Sequence, residues 1–506
     1  MYAVNRRFIL KSLAASVGLA LTPISFASSA RTLPVNKQAA DFVIHNDLPW
    51  ALETMRGSFG FGPITPLSRF FVRNNLPMPP ASILDRADEW SFKVEGCVGS
   101  GSLSLRDLKS MRVQTVASVL QCSGNGRAYS SHNPSGSQWS VGAAGCALWT
   151  GVAVADIFEK FGGVSNEAAF LTGTGGESLP EGIDASMVAV ERSVPIQKGL
   201  EDCMLVWEMN GAPLPLAHGG PLRLLVPGYF GVNNVKWLTR LAATALESTA
   251  KIQQSGYRLR AIGESGGLQH PSMWRMPVKS WLNGPGADGR PVKAGAAMLY
   301  GVAFSGERGA DKVEVSGDNG KSWQDAQWIG PDLGVNAWRT FSIGVTLDAG
   351  ENRYVTRATD SAGDIQPELA IPNERGYGNN GWADHGLNIL AVDELPETAS
   401  ADSGDVPMNV IIEQASKEKT YTLSKTAQRG RAIFTAQSQP NCSVCHTLDA
   451  AQAKGLVGPN LDKLKPGLAQ IEAAVVQGVG AMPAYGGQLS GSEVEALSAF
   501  VFEGTR

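Results

Sequence analysis

Three residues near the C-terminus, Cys442, Cys445 and His446 of "PNCSVCHTLDA", stand in C-x-x-C-H order. Two thiols at this spacing can form thioethers with a haem while the adjacent imidazole ligates its iron, so the motif predicts covalent haem c attachment. A zinc or redox C-x-x-C accounts for the two cysteines but gives no reason for the histidine beside them. Another cysteine, Cys122, sits in "SVLQCSGNGRAYSS" between an apolar run and a glycine-rich turn, with Arg127 five residues later. The residues alone leave it three roles: core thiol, half of a disulfide, or the sulfur that holds a metal cofactor.

The six cysteines, at 97, 122, 146, 203, 442 and 445, are too scattered for a dense disulfide framework, which favours cofactor chemistry. A one-electron carrier at the end of a chain implies an electron source upstream. No glycine-rich dinucleotide fingerprint follows a predicted strand, since "GTGGES" has the wrong glycine spacing. The six histidines are spread over the whole chain, so no His and carboxylate cluster has metal spacing. The upstream centre must therefore use few protein ligands. A soft thiolate suits a high-valent metal whose remaining sulfurs come from an organic cofactor.

The elements that must position these residues fall into distinct stretches of a chain too long, at 506 residues, for a single core. Residues 40–255 alternate short apolar runs with glycine and proline, and helical periodicity appears only in pieces such as "SLRDLKSM" and "VAVADIFEKFG", which predicts a mixed α+β domain. Residues 256–392 hold short β runs with an Asp318-Asn319-Gly320 turn, the pattern of an immunoglobulin-like β-sandwich. Residues 393–420 begin "DELPETASADSGDVP" and read as a flexible acidic linker. Residues 421–506 form a small all-α module that needs a staple, which haem supplies.

Residues 1–30 carry Arg6 and Arg7 ahead of a short apolar stretch, the order of a signal peptide, and "NRRFILK" resembles a twin-arginine signal. This predicts periplasmic export without stable membrane insertion. Those residues hold three basic side chains and no acid, so their removal takes the formal charge from −4 to −7. Such a balance argues against nonspecific nucleic-acid binding.

"SVLQCSGNGR" resembles the molybdenum-ligating segment of the sulfite oxidase family. So do "ITPLSRFFVRNNLP", "GCALWTGVAVADIF", "ERSVPI", "WEMNGAPLPLAHGGPLRLLVPGYFGVNNVKWL" and "DSAGDIQP", in order over residues 40–390. The details are most similar to bacterial sulfite:cytochrome c oxidoreductases, here with a fused cytochrome. The series C-x-x-C-H, "VGPNL" and "AMPAYGG" resembles a class I cytochrome c and makes Met482 the second axial ligand beside His446.

The resemblance implies that Cys122 ligates molybdenum in a molybdenum-molybdopterin cofactor and that His218, Arg223 and Lys236 bind the pterin phosphate. It makes Arg73, Arg127 and Arg375 the substrate-pocket cations and Tyr257 the active-site tyrosine. Arginine suits an oxyanion because its planar fork donates paired hydrogen bonds and stays charged when desolvated. Two departures bear on substrate affinity: Gly126 stands where many members have a second basic residue, and Asn75 where several have histidine. A neutral amide at 75 weakens the attraction for an oxyanion.

The implied reaction is oxidation of sulfite to sulfate by oxo transfer at molybdenum, with single electrons leaving through haem c to a soluble cytochrome c. The linker would let the haem module swing between the molybdenum centre and that acceptor. The sandwich resembles the family's dimerisation domain and implies a homodimer, though some bacterial members pair with a cytochrome subunit instead. The alternatives are a sulfane-sulfur dehydrogenase of a thiosulfate-oxidising complex, an S-oxide reductase running oxo transfer backwards, and a non-enzymatic electron-transfer protein.

Overall fold

The computed structural model describes residues 33–179, 184–396, 421–455, 457–480 and 482–506. The leader read at 1–30 and most of the linker read at 393–420 lie outside the described residues. Among the described residues no helix is long and apolar enough to cross a membrane.

A three-stranded sheet opens the fold, β1 (Phe42–Asp47), β2 (Trp50–Thr54) and β3 (Val72–Arg73), with Ala51 paired to Arg73. Ten strands follow: β4 (Ser91–Glu95), β5 (Gly101–Ser104), β6 (Val113–Gln121), β7 (Ala144–Ala153), β8 (Phe170–Thr174), β9 (Glu191–Pro195), β10 (Met204–Met209), β11 (Ala212–Pro213), β12 (Arg223–Leu225) and β13 (Arg240–Thr244). They divide into two sheets, ordered β11-β10-β7-β6 with β12 against β10, and β5-β4-β13-β8-β9. Side chains from both, including Val94, Val152, Leu171, Leu205, Leu224 and Leu241, meet in one buried core. The predicted helix in "SLRDLKSM" forms as Leu105–Lys109: Asp107 N–H donates to Ser104 Oγ at 3.2 Å and Ser104 N–H to Asp107 Oδ2 at 2.7 Å, a capping box.

The sandwich is built as predicted. One sheet runs β14 (Val278–Gly284), β16 (Gly295–Ser305), β20 (Arg339–Leu347), β19 (Gln327–Ile329). The other runs β15 (Val292–Lys293), β22 (Leu387–Val392), β21 (Gly350–Asp360), β17 (Ala310–Ser316), β18 (Gln324–Asp325). Leu282, Leu299, Val313, Phe341, Ala358 and Ile389 fill the space between them. Asn319 and Gly320, with φ of 58° and 86°, turn the chain from β17 into β18. Arg56 ties the sandwich to the first part of the chain, donating to Leu282 O at 2.6 Å, Gly386 O at 2.9 Å and His385 O at 2.8 Å.

In the C-terminal segment α1 (Lys425–Ala432), α2 (Leu468–Gln477) and α3 (Gly491–Gly504) surround Phe434, Ile471, Val475, Leu497 and Phe500. A Cβ added to Gly430 would lie 1.9 Å from Ala496 O, so glycine is what lets α1 and α3 touch. The helical character is as expected, with one addition: Thr447–Leu448 pairs with Ala453–Lys454 in a two-stranded ladder.

Candidate active site

Strand β6 delivers Cys122 to the centre of the molecule. Its N–H continues the β6–β7 ladder to Ala143 O at 2.9 Å, and the chain then folds back on itself. Asn125 N–H donates to Cys122 O at 3.0 Å, Gly126 N–H to Ser140 O at 2.7 Å and Arg127 N–H to Gly124 O at 2.9 Å. Asn125 staples this turn, accepting from Ala143 N–H and donating to Gln121 Oε1, each at 3.1 Å. Gly126 has φ 96°, a left-handed conformation that a side chain would strain. Cys122 is buried without a disulfide partner and lines a cavity shared with Phe70, Arg73, Asn75, His218, Arg223, Lys236 and Tyr257.

One wall of this cavity is cationic. Arg223 Nη1 donates to His218 O at 2.8 Å, while Lys236 Nζ donates to Ala217 O at 2.6 Å and Arg73 O at 3.2 Å. Burial lowers Arg223 to about 9. Burial, then the charges of Lys37, Lys236 and Arg223, hold the His218 imidazole well below its usual range, and therefore neutral. His218 Nε2 and Arg223 Nε are buried with no hydrogen-bond partner. Burying cations and orphaned donors together is costly, and an anionic phosphate among them would offset that cost. The residues thus fit a pterin phosphate.

Two buried charged groups that sequence reasoning missed lie within electrostatic reach of this wall without lining the cavity. Lys37 donates to Phe70 O at 2.7 Å and to Leu67 O, and burial pushes its ammonium down to about 7. Glu177 is lifted by burial to about 8 and lies within electrostatic reach of Lys236. Neither belongs to a local pattern that spacing could have revealed.

Tyr257 follows the helical turn Ile252–Gly256 and closes the cavity. Its hydroxyl donates to Asn75 Oδ1 at 3.2 Å, and its ring stacks on Tyr377 at 5.2 Å and 7°. Burial raises its pKa to about 12, so the hydroxyl keeps its proton. Arg73 enters from β3 and donates to Asn74 O. Arg127 and Arg375 stand behind these residues: Arg127 Nε donates to Arg375 O at 2.8 Å and Nη1 to Ser137 O at 2.9 Å. Both guanidinium groups lie over the Tyr377 ring, at 5.3 and 5.7 Å. Burial, opposed first by Tyr377, lowers the pKa of Arg127. Arg375 Nη1 donates to Gly478 O at 2.9 Å, and its buried Nε has no partner.

A second cavity is lined by Cys442, Cys445, His446, Phe434, Ile471, Tyr485, Met482 and Val501 from the C-terminal segment. His446 Nδ1 donates to Pro459 O at 2.9 Å, which leaves Nε2 as the ligating nitrogen. Burial keeps this imidazole below its ordinary range, neutral as a ligand must be. Two thiols, a neutral imidazole, a thioether and an apolar lining fit a haem. Arg73 and Asn75 line this second cavity as well as the first.

Residues 76–252 match the family model of the oxidoreductase molybdopterin binding domain, and 270–389 that of the Mo-co oxidoreductase dimerisation domain. Residues 425–501 match the model of cytochrome c oxidase, cbb3-type, subunit III. Sulfite oxidase of Arabidopsis thaliana is 30% identical over 363 residues, 66% of this chain and 90% of that protein. Mitochondrial sulfite oxidase of Rattus norvegicus is 33% identical over 353 residues, 65% of this chain, and the match spans 62% of the rat protein's length. Among solved structures, the sulfane dehydrogenase SoxCD from Paracoccus pantotrophus aligns with a TM-score of 0.59 and 25% identity, covering 77% of this chain and all of that one. The cofactors these matches support are molybdenum-molybdopterin and haem c.

Proposed function

The chain belongs to the sulfite oxidase family, and from that premise we propose that it is an exported sulfite dehydrogenase that passes electrons through covalent haem c to a soluble cytochrome c. The observation that carries this reading is the wall common to the two cavities: Arg73 and Asn75 border both the pocket of Cys122 and the pocket of His446 and Met482. Electrons released at the first site have little distance to cover to reach the second.

When bound, molybdenum-molybdopterin supplies a transferable oxo group and accepts two electrons, which haem c relays singly. The chain's residues do the rest. Cys122 provides the thiolate ligand, while His218, Arg223 and Lys236 hold the phosphate. Arg73 meets the sulfite oxyanion directly, and Arg127 and Arg375 add positive charge from behind it. Tyr257, its pKa raised by burial, keeps its proton and offers it as a hydrogen bond to substrate or water. His446 and Met482 complete the haem iron.

The proposed arrangement is a periplasmic homodimer paired through the sandwich, with domains at 40–255, 256–392 and 421–506. The likeness to SoxCD favours a second reading, oxidation of a sulfane sulfur carried by a partner protein. One experiment separates the two. Free sulfite added to the purified holoenzyme should bleach the oxidised haem spectrum and, with cytochrome c as the sole acceptor, sustain turnover. Cys122→Ser should abolish both. A native protein that responds only to a protein-bound sulfane substrate supports the second reading, and haem without molybdenum by metal analysis sinks both.

A further inference from the structure

The loop that presents Met482 is held from outside its own helical segment. Three basic side chains from the rest of the chain converge on Gln477, Gly478 and Met482. Arg260 Nη2 donates to Gln477 Oε1 at 3.1 Å, Arg375 Nη1 to Gly478 O at 2.9 Å, and Lys251 Nζ to the main-chain oxygen of Met482 itself. All three acceptors are neutral, so these contacts act as directed hydrogen bonds rather than as ion pairs; burial, then the charges of Arg375 and Arg260, lower Lys251 to about 7, and its amine donates with or without the extra proton.

The backbone is shaped to receive them. Gly478 has φ 68°, and a Cβ there would lie 2.3 Å from Met482 O and 2.5 Å from Lys251 Nζ. Only glycine lets those two groups meet beside it. Two residues on, Gly480 approaches the shared wall, where an added Cβ would be 3.4 Å from Asn75 Oδ1 and 3.6 Å from Arg73 Nη2. The loop carrying Met482 therefore lies directly against the residues that border the Cys122 cavity.

Arg375 is already part of the proposed substrate machinery, and Arg260 reaches only a side-chain amide. Lys251 differs from both. It precedes the helical turn that sets Tyr257, lies outside the cavity of Cys122, and bonds to the backbone of the ligand residue. We propose that Lys251 is a positioning residue that docks the Met482 loop onto the catalytic part of the molecule and orients the methionine toward the haem iron. The inference rests on the reading of Met482 as an axial ligand.

The test uses the full-length, haem-loaded protein and two readouts other than turnover. The first is amide hydrogen exchange of the 475–488 region. The second is the weak near-infrared band of ferric haem with methionine ligation. In Lys251→Met the amides of this region should exchange about tenfold faster, the loss of one hydrogen bond, while those of α1 and α3 keep their protection. The methionine band should weaken or shift. Lys251→Gln should reproduce both effects, and Lys251→Arg should restore both. Native-like exchange and an unchanged band in Lys251→Met and Lys251→Gln would overturn the positioning role while leaving the proposed function intact. Absence of the methionine band from the native protein would instead remove Met482 as ligand and take this inference with it.

Discussion

Gly126 looks in the sequence like a gap in the substrate pocket, because many relatives have a basic side chain there. Its surroundings give it a different meaning. A Cβ at 126 would sit 2.8 Å from Asn379 Cβ and 3.3 Å from His385 Nε2, both in the sandwich part of the chain. Those groups occupy the side of the turn where a side chain would have to go. Gly126→Ala should therefore act on folding rather than on substrate affinity. Strain at a left-handed φ together with overpacking costs about 1–3 kcal/mol, to be read as a lower urea unfolding midpoint, while KM for sulfite stays within about twofold. A tenfold rise in KM at unchanged stability would put the residue back in the pocket. Cys442, Cys445 and His446 were legible because haem attachment is written in local spacing, whereas Cys122 took its role only from the resemblance of the longer stretch around it. The role of Gly126 was not legible, since its neighbours lie some 250 positions further along the chain.

At the scale of elements, the Cys122 turn is carried by β6 and β7 and braced from below by β14. Lys279, on β14, is fully buried and donates to Asn379 O at 2.7 Å and to Asn125 O at 3.4 Å, within the turn itself. Burial lowers this ammonium to about 7, with Asp384 opposing. In the unfolded chain the same group stays protonated up to its ordinary value of 10.5. Between these two values the unfolded state binds the extra proton, so stability rises with pH across that window and is lost as pH falls through 7. The slope from one such group is at most about 1.4 kcal/mol per pH unit. Lys279→Met should flatten it: relative to the variant, the native protein should gain stability steadily from pH 7 to pH 10 in urea titrations. Parallel profiles for the two proteins would mean that Lys279 remains charged. The short strands and their turn signals were visible as alternation and glycine punctuation. That a strand of the sandwich would support a turn of the catalytic part was not, because a buried lysine has no periodicity to betray it.

The whole molecule raises the question of how the haem segment and the catalytic part find each other. A swinging haem module guided by an acidic linker would search by charge, and such steering weakens steeply with ionic strength. The contacts between the two parts point elsewhere. Lys463 and Asp47 form an ion pair at 2.7 Å, but the lysine side chain is 65% exposed, so the pair contributes little. Among the described residues, the remaining polar contacts run from basic side chains to neutral acceptors, as at Gly478 and Met482, or between amides, as from Gln470 Nε2 to Asn133 Oδ1 at 3.2 Å. Val457 adds apolar packing against the core beneath Tyr257 and Tyr377. An interface of this kind holds its geometry in salt. At saturating sulfite, the first-order rate of haem reduction should change by less than about twofold between 0.05 and 0.5 M sodium chloride, where screening shrinks from more than 10 Å to a few ångströms. Stopped-flow absorbance at the haem band reads it directly. A fall of an order of magnitude over the same range would mean that the electron crosses only after a charge-guided search, and the docked arrangement would then be a resting position rather than the one that transfers electrons.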